Sequence, residues 1–247
     1  MMIRRALPAG VDFLALHRAR SSRYPLLLES VAGGNALSRW DLLLVADGDG
    51  LRLDADGVTR RLDGRVVDGD FLSALDAEWR AHPATDTEAS LPFRGGWALY
   101  LSYELAGQVE PVLQLPAAPG PLPVALALRC PAALLRDRIN GECLVIAAAG
   151  AGHLLVDIDA DIVAATALPA LPAWQPPTEL REDTAQHFLD GVARVHDYLR
   201  AGDVFQVNLS RAWRARFEQS PEPAAWYARL REANPAPFAG LLSHANW

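Results

Sequence analysis

The chain has 247 residues, 51% of them hydrophobic, a length at which about 70–75% of the unfolded surface can be buried. A net charge of −7 and a pI near 5.3 argue against a nucleic-acid binder, whose affinity rests on clustered cations. All 23 basic residues are arginine, so these residues cannot supply a lysine amine as nucleophile or Schiff-base former.

The opening "MMIRRALPAGVDFLAL" starts basic, but Pro8, Gly10 and Asp12 interrupt the apolar run of a signal peptide. No stretch is long enough and apolar enough to span a bilayer, and a cytoplasmic protein is expected. "WDLLLVAD", "LRLDADG" and "VTRRLDG", residues 40 to 64, read as strands of a meander punctuated by Asp-Gly turns. Phe71, Leu72, Leu75 and Trp79 have helical spacing over 70–80, and "HPATDTEASLP" reads as an exposed loop. "GGWALYLSYEL", 95 to 105, is expected as a buried central strand. The stretch from 123 to 149 is expected to hold two strands closed by a type I′ turn at Asn140-Gly141. Residues 154 to 168 are expected to be helical. The proline-rich stretch that follows marks a linker, dividing the chain into 1–167, a linker 168–178, and 179–247.

Asp183 and Gln186 have the spacing of a capping box, with an apolar stripe of Phe188, Val192, Val195 and Leu199 behind them. Gly202 stands where a left-handed cap ends the helix. The period then becomes two. Phe205, Val207, Leu209, Trp213, Ala215 and Phe217 share one face, and Gln206, Asn208, Ser210, Arg214 and Arg216 share the other. A helix over 222–234 and a strand in "FAGLLSHANW" complete the chain. Runs of strands with few helices predict an α+β fold of twisted, mostly antiparallel sheets with helices on their outer faces.

No phosphate-binding loop, dinucleotide fingerprint, metalloprotease or nucleophile-elbow motif is present. The six histidines are scattered. Cys130 and Cys143 lack metal or redox spacing and are expected as buried thiols. Asp157, Asp159 and Asp161 lack the glycine and terminal glutamate of a calcium loop and are expected as a solvated helix start. Pattern alone leaves Gln206, Asn208 and Ser210 as either a half-exposed strand face or the wall of a site.

Four stretches carry a resemblance: "YPLLLES" (24–30), "PFRGGWALYLSYELA" (92–106), "LRAGDVFQVNLSRAW" (199–213) and "NPAPFAGLL" (234–242). In this order they resemble the amino-terminal elements of the chorismate-utilising enzymes, anthranilate synthase component I and aminodeoxychorismate synthase component I. The resemblance implies that fold in truncated form, with 179–247 the start of a chorismate-binding domain. It places the Mg2+ ligands and, in the aminodeoxychorismate branch, a lysine in a carboxy-terminal half, so no catalytic or metal residue is expected here and the chain alone is expected to be inactive and poorly soluble.

The same resemblance makes Gln206 and Asn208 substrate-proximal. Water-using members carry a lysine at the position of Gln206, and ammonia-using members a glutamine, which cannot act as a base at neutral pH. Asn208 and "ALSRWDLL" resemble the aminodeoxychorismate branch. Chorismate and a glutamine amidotransferase subunit are the implied partners. A tryptophan pocket is implied at Ser30, Leu37, Ser38, Arg39, Trp40, Pro237, Phe238 and Ala239. The alternatives are an anthranilate synthase fragment and a stand-alone tryptophan-binding or regulatory module.

Overall fold

The structure is a computed structural model and describes residues 2–33, 38–83, 90–117 and 120–245. In chain order the elements are β1 (Ile3–Ala6), α1 (Phe13–Ala19), β2 (Leu26–Glu29), β3 (Trp40–Val45), β4 (Gly50–Leu53), β5 (Thr59–Arg61), α2 (Phe71–Ala81), β6 (Gly96–Leu101), α3 (Ala106–Val109), β7 (Ala125–Cys130), β8 (Ala132–Asp137), β9 (Cys143–Ala147) and α4 (Ile158–Thr166). They are followed by β10 (Glu179–Glu182), α5 (Ala185–Ala201), β11 (Trp213–Arg216), α6 (Pro223–Ala233) and β12 (Ala239–Leu242). No described helix is long and apolar enough to cross a membrane.

Two compact units emerge, one from the residues up to Ala170 together with those from Leu230 on, the other from Leu171–Arg229. The carboxy-terminal strand β12 thus belongs with the first unit, whereas the sequence boundaries group it with 179–247.

In the first unit a six-stranded sheet has the order β1-β9-β8-β3-β2-β12 and a four-stranded sheet the order β5-β4-β7-β6, every pairing antiparallel. Alternation along the strands builds two cores. Leu126 and Leu128 of β7 join Leu44, Leu135 and Ile146 of the larger sheet in one cluster. Ala125 and Ala127 point the other way, to Leu51, Leu53 and the Phe71 and Ala74 of α2. Leu43, Leu134 and Val145 are fully buried on the remaining face of the larger sheet, and α1 packs on β2 and α4. The expected antiparallel sheets with helices outside are therefore present.

Several local expectations change. β3 and β4 do not form a hairpin, because the chain leaves the six-stranded sheet after Val45 and enters the four-stranded sheet at Gly50. β7 and β8 make the same crossing at Pro131, which has no N–H for a ladder, so 123–149 holds three strands rather than two. Five residues, 138–142, join β8 to β9, with the Gly141 N–H donating to the Asp137 carbonyl at 2.8 Å. Gly141 is at φ +75° and Asn140 is not in the positive region, which excludes a type I′ turn. β6 is an edge strand, with Leu99 and Leu101 partly exposed, rather than a central one. The predicted loop at 82–92 lies in part, at 84–89, outside the described residues.

Asp70 caps α2, accepting from the Ser73 N–H at 2.7 Å. The capping box at α5 does not form. Thr184 is the N-cap without a side-chain bond, and the Asp183 carboxylate instead accepts from the Ala212 N–H at 2.9 Å and from Arg214 at 3.1 Å. Gly202 does end the helix in the left-handed region, at φ +77°. In this second unit the linker residue Trp174 packs with Phe217 and Trp226, ring centroids 5.4 to 6.1 Å apart. The arginines of the β11 region pair with acids: Arg211 with Glu182, Arg214 with Asp183 and Arg216 with Glu179.

Both cysteines are free and buried, and burial pushes the Cys130 thiol up to about 12. His17 on α1 is also buried. Its Nδ1 lies 2.7 Å from the Tyr24 carbonyl, which only accepts, so Nδ1 carries the proton and Nε2 accepts from the Ser243 hydroxyl at 3.0 Å. Burial lowers the His17 pKa, so the unfolded chain takes up a proton at higher pH than the folded one. The stabilising contribution is full above the unfolded value of about 6.5 and is lost as the pH falls below it. The urea midpoint is expected to drop between neutral pH and about pH 5, with a smaller drop in His17→Gln. An equal slope in the two proteins would contradict this role.

Candidate functional site

The residues singled out by resemblance come from three strand ends of the six-stranded sheet. β2 pairs with β3 through Leu28↔Leu42, and the same register carries on beyond the strands, the Ser30 hydroxyl donating to the Trp40 carbonyl at 3.0 Å and the Ser38 hydroxyl to the Ala32 carbonyl. On its other side β2 pairs with β12 through Glu29↔Ala239. That register also continues, with the Ala32 N–H donating to the Ala236 carbonyl at 3.0 Å, so Phe238 falls opposite Ser30. Ser30, Ser38, Arg39, Trp40, Pro237, Phe238 and Ala239 are thereby gathered at one end of the sheet; Leu37 lies outside the described residues.

Within this cluster Ser30 is buried and Phe238 is 78% exposed. The Arg39 guanidinium lies over the Trp40 ring, 4.8 Å from its centroid, a cation–π arrangement. The cluster combines a hydroxyl, extended backbone, a cation on an indole and an exposed phenyl ring, a donor set suited to a small amphipathic ligand.

Acidic residues not selected from sequence hold this end of the sheet. Asp41 is fully buried; its Oδ1 accepts from the Ser30 N–H at 3.0 Å, and its Oδ2 lies 3.1 Å from Arg138 Nε and 3.5 Å from Arg136. Arg138 also donates to the Ser30 carbonyl. Both backbone groups of Ser30 are therefore held by side chains. Desolvation raises the Asp41 pKa, opposed by the Ser30 N–H and Arg138.

Asp137 accepts two bonds from Arg39, at 2.7 and 3.1 Å, which hold its carboxyl below the usual range. Buried Glu29 receives Arg231 of α6 across both carboxylate oxygens, at 2.9 and 3.1 Å. The signal for Asp41 was an acid breaking an otherwise apolar strand, "WDLLLV"; Arg138 and Arg231 had none.

Gln206 and Asn208 stand in the second unit, and here the predicted strand is not formed. Residues 203–212 have no regular secondary structure, and β11 starts only at Trp213. Both side chains are exposed, and the Gln206 side-chain amide donates to the Asn208 Oδ1 at 3.3 Å, so they lie on one side as the period of two requires. Phe205 is fully exposed. This stretch has no sheet neighbour among the described residues, which is why the alternating pattern does not become a strand.

Among the described residues no three His, Cys, Asp or Glu side chains are grouped to hold a metal ion. The acids at the start of α4 are engaged by arginines. Asp157 pairs with Arg23 and Asp159 with Arg5. Asp161 is buried rather than solvated: it accepts from the Tyr24 hydroxyl at 2.7 Å and pairs with Arg20 at 2.7 Å.

The fold is that of a solved anthranilate synthase component I from Streptococcus pneumoniae, matched with a TM-score of 0.63 at 23% identity over 83% of this chain and 47% of that one. Residues 37–247 match the chorismate binding enzyme family, and the chain belongs to it. Its sequence is 30% identical over 250 residues to anthranilate synthase component 1 of Cereibacter sphaeroides, covering 91% of this chain and 49% of the relative. It is 28% identical over 239 residues to aminodeoxychorismate synthase component 1 of Bacillus subtilis, with the same two coverages. The chain thus spans about half the length of these curated relatives.

Proposed function

We propose that this chain is the amino-terminal part of an aminodeoxychorismate synthase component I. The whole protein converts chorismate and ammonia, delivered by a glutamine amidotransferase partner, to 4-amino-4-deoxychorismate for para-aminobenzoate and folate synthesis. Gln206 carries the reading. At a position where a lysine would deprotonate water, an amide cannot act as a base, and ammonia is itself the nucleophile. Asn208 and the Ser38-Arg39-Trp40 run support the aminodeoxychorismate branch. In this reading the Mg2+ ligands come from residues outside this chain, and the chain alone is inactive.

A test is Gln206→Lys in the whole protein. Ammonia-dependent amination should fall with chorismate still bound, whereas unchanged amination would remove Gln206 from the site. The slightly higher identity to the Cereibacter sphaeroides relative favours a second reading, an anthranilate synthase component.

In either reading the Ser30 cluster binds L-tryptophan. The indole rests against Phe238 and Pro237, and the ammonium and carboxylate are held by backbone groups around Ser30 and by Arg39. Calorimetry on this chain should show L-tryptophan binding weakened about tenfold or more by Phe238→Ala, an exposed position whose truncation leaves the fold intact; a tenfold loss corresponds to about 1.4 kcal/mol. No heat with the unaltered chain would reject the tryptophan site while leaving the enzyme assignment standing.

A further inference from the structure

Residues 203–212, which carry Gln206 and Asn208, have no ladder of their own, so the direction of these side chains depends on how the segment is held at its ends and along its length. Ordering an extended chain costs conformational entropy at every residue, and few anchors are available to offset it. At the start, Gly202 closes α5 and the Asp203 N–H donates to the Tyr198 carbonyl at 3.0 Å. At the end, the antiparallel register of β10 and β11, with Glu182 opposite Trp213, runs on to bring Asp183 opposite Ala212. The Asp183 N–H donates to the Ala212 carbonyl at 3.2 Å. Its carboxylate, where a regular pair would use the backbone carbonyl, accepts the Ala212 N–H at 2.9 Å. One residue thus holds both backbone groups of Ala212. Arg214 donates to the same carboxylate at 3.1 Å. The Ala212 N–H, ahead of the arginine, holds the Asp183 carboxyl below the usual range, so the acceptor is ionised at neutral pH.

Between these ends the segment lies against α5. Gly191 stands midway along that helix, where glycine is a poor helix former and calls for a packing reason. A Cβ built there would stand 3.0 Å from Leu209 Cδ2, so the glycine leaves the space that Leu209 takes. The Arg211 guanidinium lies 5.8 Å from the centre of the Phe188 ring on the same helix. Leu209 and Arg211 therefore face α5, and the period of two turns Gln206 and Asn208 the other way, in keeping with their exposure and mutual hydrogen bond.

We propose, resting on the reading of Gln206 as substrate-proximal, that Asp183 is a positioning residue for Gln206 and Asn208, holding Ala212 at the end of their segment while Gly191 seats Leu209 on α5. Asp183 acts through the backbone of Ala212 and touches no substrate itself. Its loss frees one end of the segment, and a shift of about 1 Å at a reacting centre is enough to cost about a hundredfold in rate.

Nitrogen-15 relaxation on the 247-residue chain reads the holding without reference to activity. In Asp183→Ala the backbone order parameters of Gln206 and Asn208 should fall from the rigid range, about 0.85, to below about 0.6. Asp183→Asn, which keeps an acceptor for the Ala212 N–H, should stay near the unaltered chain. In a full-length protein that contains this chain, turnover of chorismate with ammonium should fall at least about tenfold in Asp183→Ala and be largely restored by Asp183→Asn. Ala212→Pro removes the donor instead of the acceptor; it should give the same loss and add little to Asp183→Ala. Gly191→Leu fills the seat of Leu209 and should also lower turnover, with Leu209→Ala recovering it.

Order parameters that Asp183→Ala leaves unchanged overturn the proposal. So does unchanged turnover in Asp183→Ala beside a loss in Gln206→Lys, because Gln206 then works without being held. No loss in Gln206→Lys rejects the reading of Gln206 and this role with it, which separates the two failures. Circular dichroism checks that each variant is folded, and Ala212→Pro decides the matter if Asp183→Ala is not.

Discussion

Asp41→Ala is expected to destabilise the protein by about 3–5 kcal/mol, the cost of removing one partner from a buried charge cluster. The carboxylate is fully buried and serves the Ser30 N–H, Arg138 and Arg136 together. Alanine would leave a buried backbone donor without its acceptor and two arginines facing one another across a void. Asp41→Asn keeps an acceptor for the Ser30 N–H but not the charge, so its loss should be smaller. Urea unfolding of the two variants measures both. Because Asp41 and Arg138 fix Ser30 from its two backbone groups, tryptophan affinity should fall in Asp41→Asn even where the protein remains folded. A stability change within about 1 kcal/mol for Asp41→Ala would place it among ordinary surface pairs and contradict its role in holding the site.

Asp161→Ala is the second large effect, expected at about 3 kcal/mol or more. Asp161 is 1% exposed and joins α4 to the segment after α1 through the Tyr24 hydroxyl, Arg20 and Arg23. Arg20 is more than half exposed, so solvent screens its share, and the larger part comes from the buried phenol and Arg23. Burial, then the hydrogen bond to Asp161, push the Tyr24 pKa up, which keeps the phenol a donor throughout the ordinary pH range. Tyr24→Phe should cost about 1.5–3 kcal/mol, the value of one hydrogen bond to a charged group. In a double-mutant cycle the two changes should be strongly non-additive; additive losses would show that Asp161 acts through the arginines alone.

Both acids show where sequence reading stops. A charged residue reads as surface by default, and Asp161 sits in a run of three alternating acids that looks like a solvated helix start. Only the fold reveals that Arg20, Arg23 and Tyr24 arrive opposite it. Local signals were read well where they act locally: the periodicity of α2 and α5, and Gly202 as a left-handed stop. Signals that depend on a distant partner were not. Asp183 fits a capping box, but the Ala212 N–H and Arg214 compete for it beside the β10–β11 ladder. The Asp-Gly pair after β3 reads as a hairpin, yet hydrogen-bond partners on β8 and β7 draw β3 and β4 into different sheets.

For the site, Ser30 and the Pro237–Ala239 run lie near opposite ends of the chain, and no spacing rule joins them. Resemblance brought them together, and the continuing β2–β12 register supplies the physical reason they meet. Gln206 and Asn208 were read as a strand face because their alternation is correct. The strand is not formed because an extended segment becomes one only when a neighbour completes its ladder.

The most direct test of the account is the product made by the whole protein. A full-length protein that contains this chain, supplied with chorismate, Mg2+ and ammonium, should yield 4-amino-4-deoxychorismate, identified by mass after chromatography. Fluorescent anthranilate as the product would contradict the branch assigned from Asn208. A hydroxylated isomer of chorismate, formed with water in place of ammonia, would contradict the role given to Gln206.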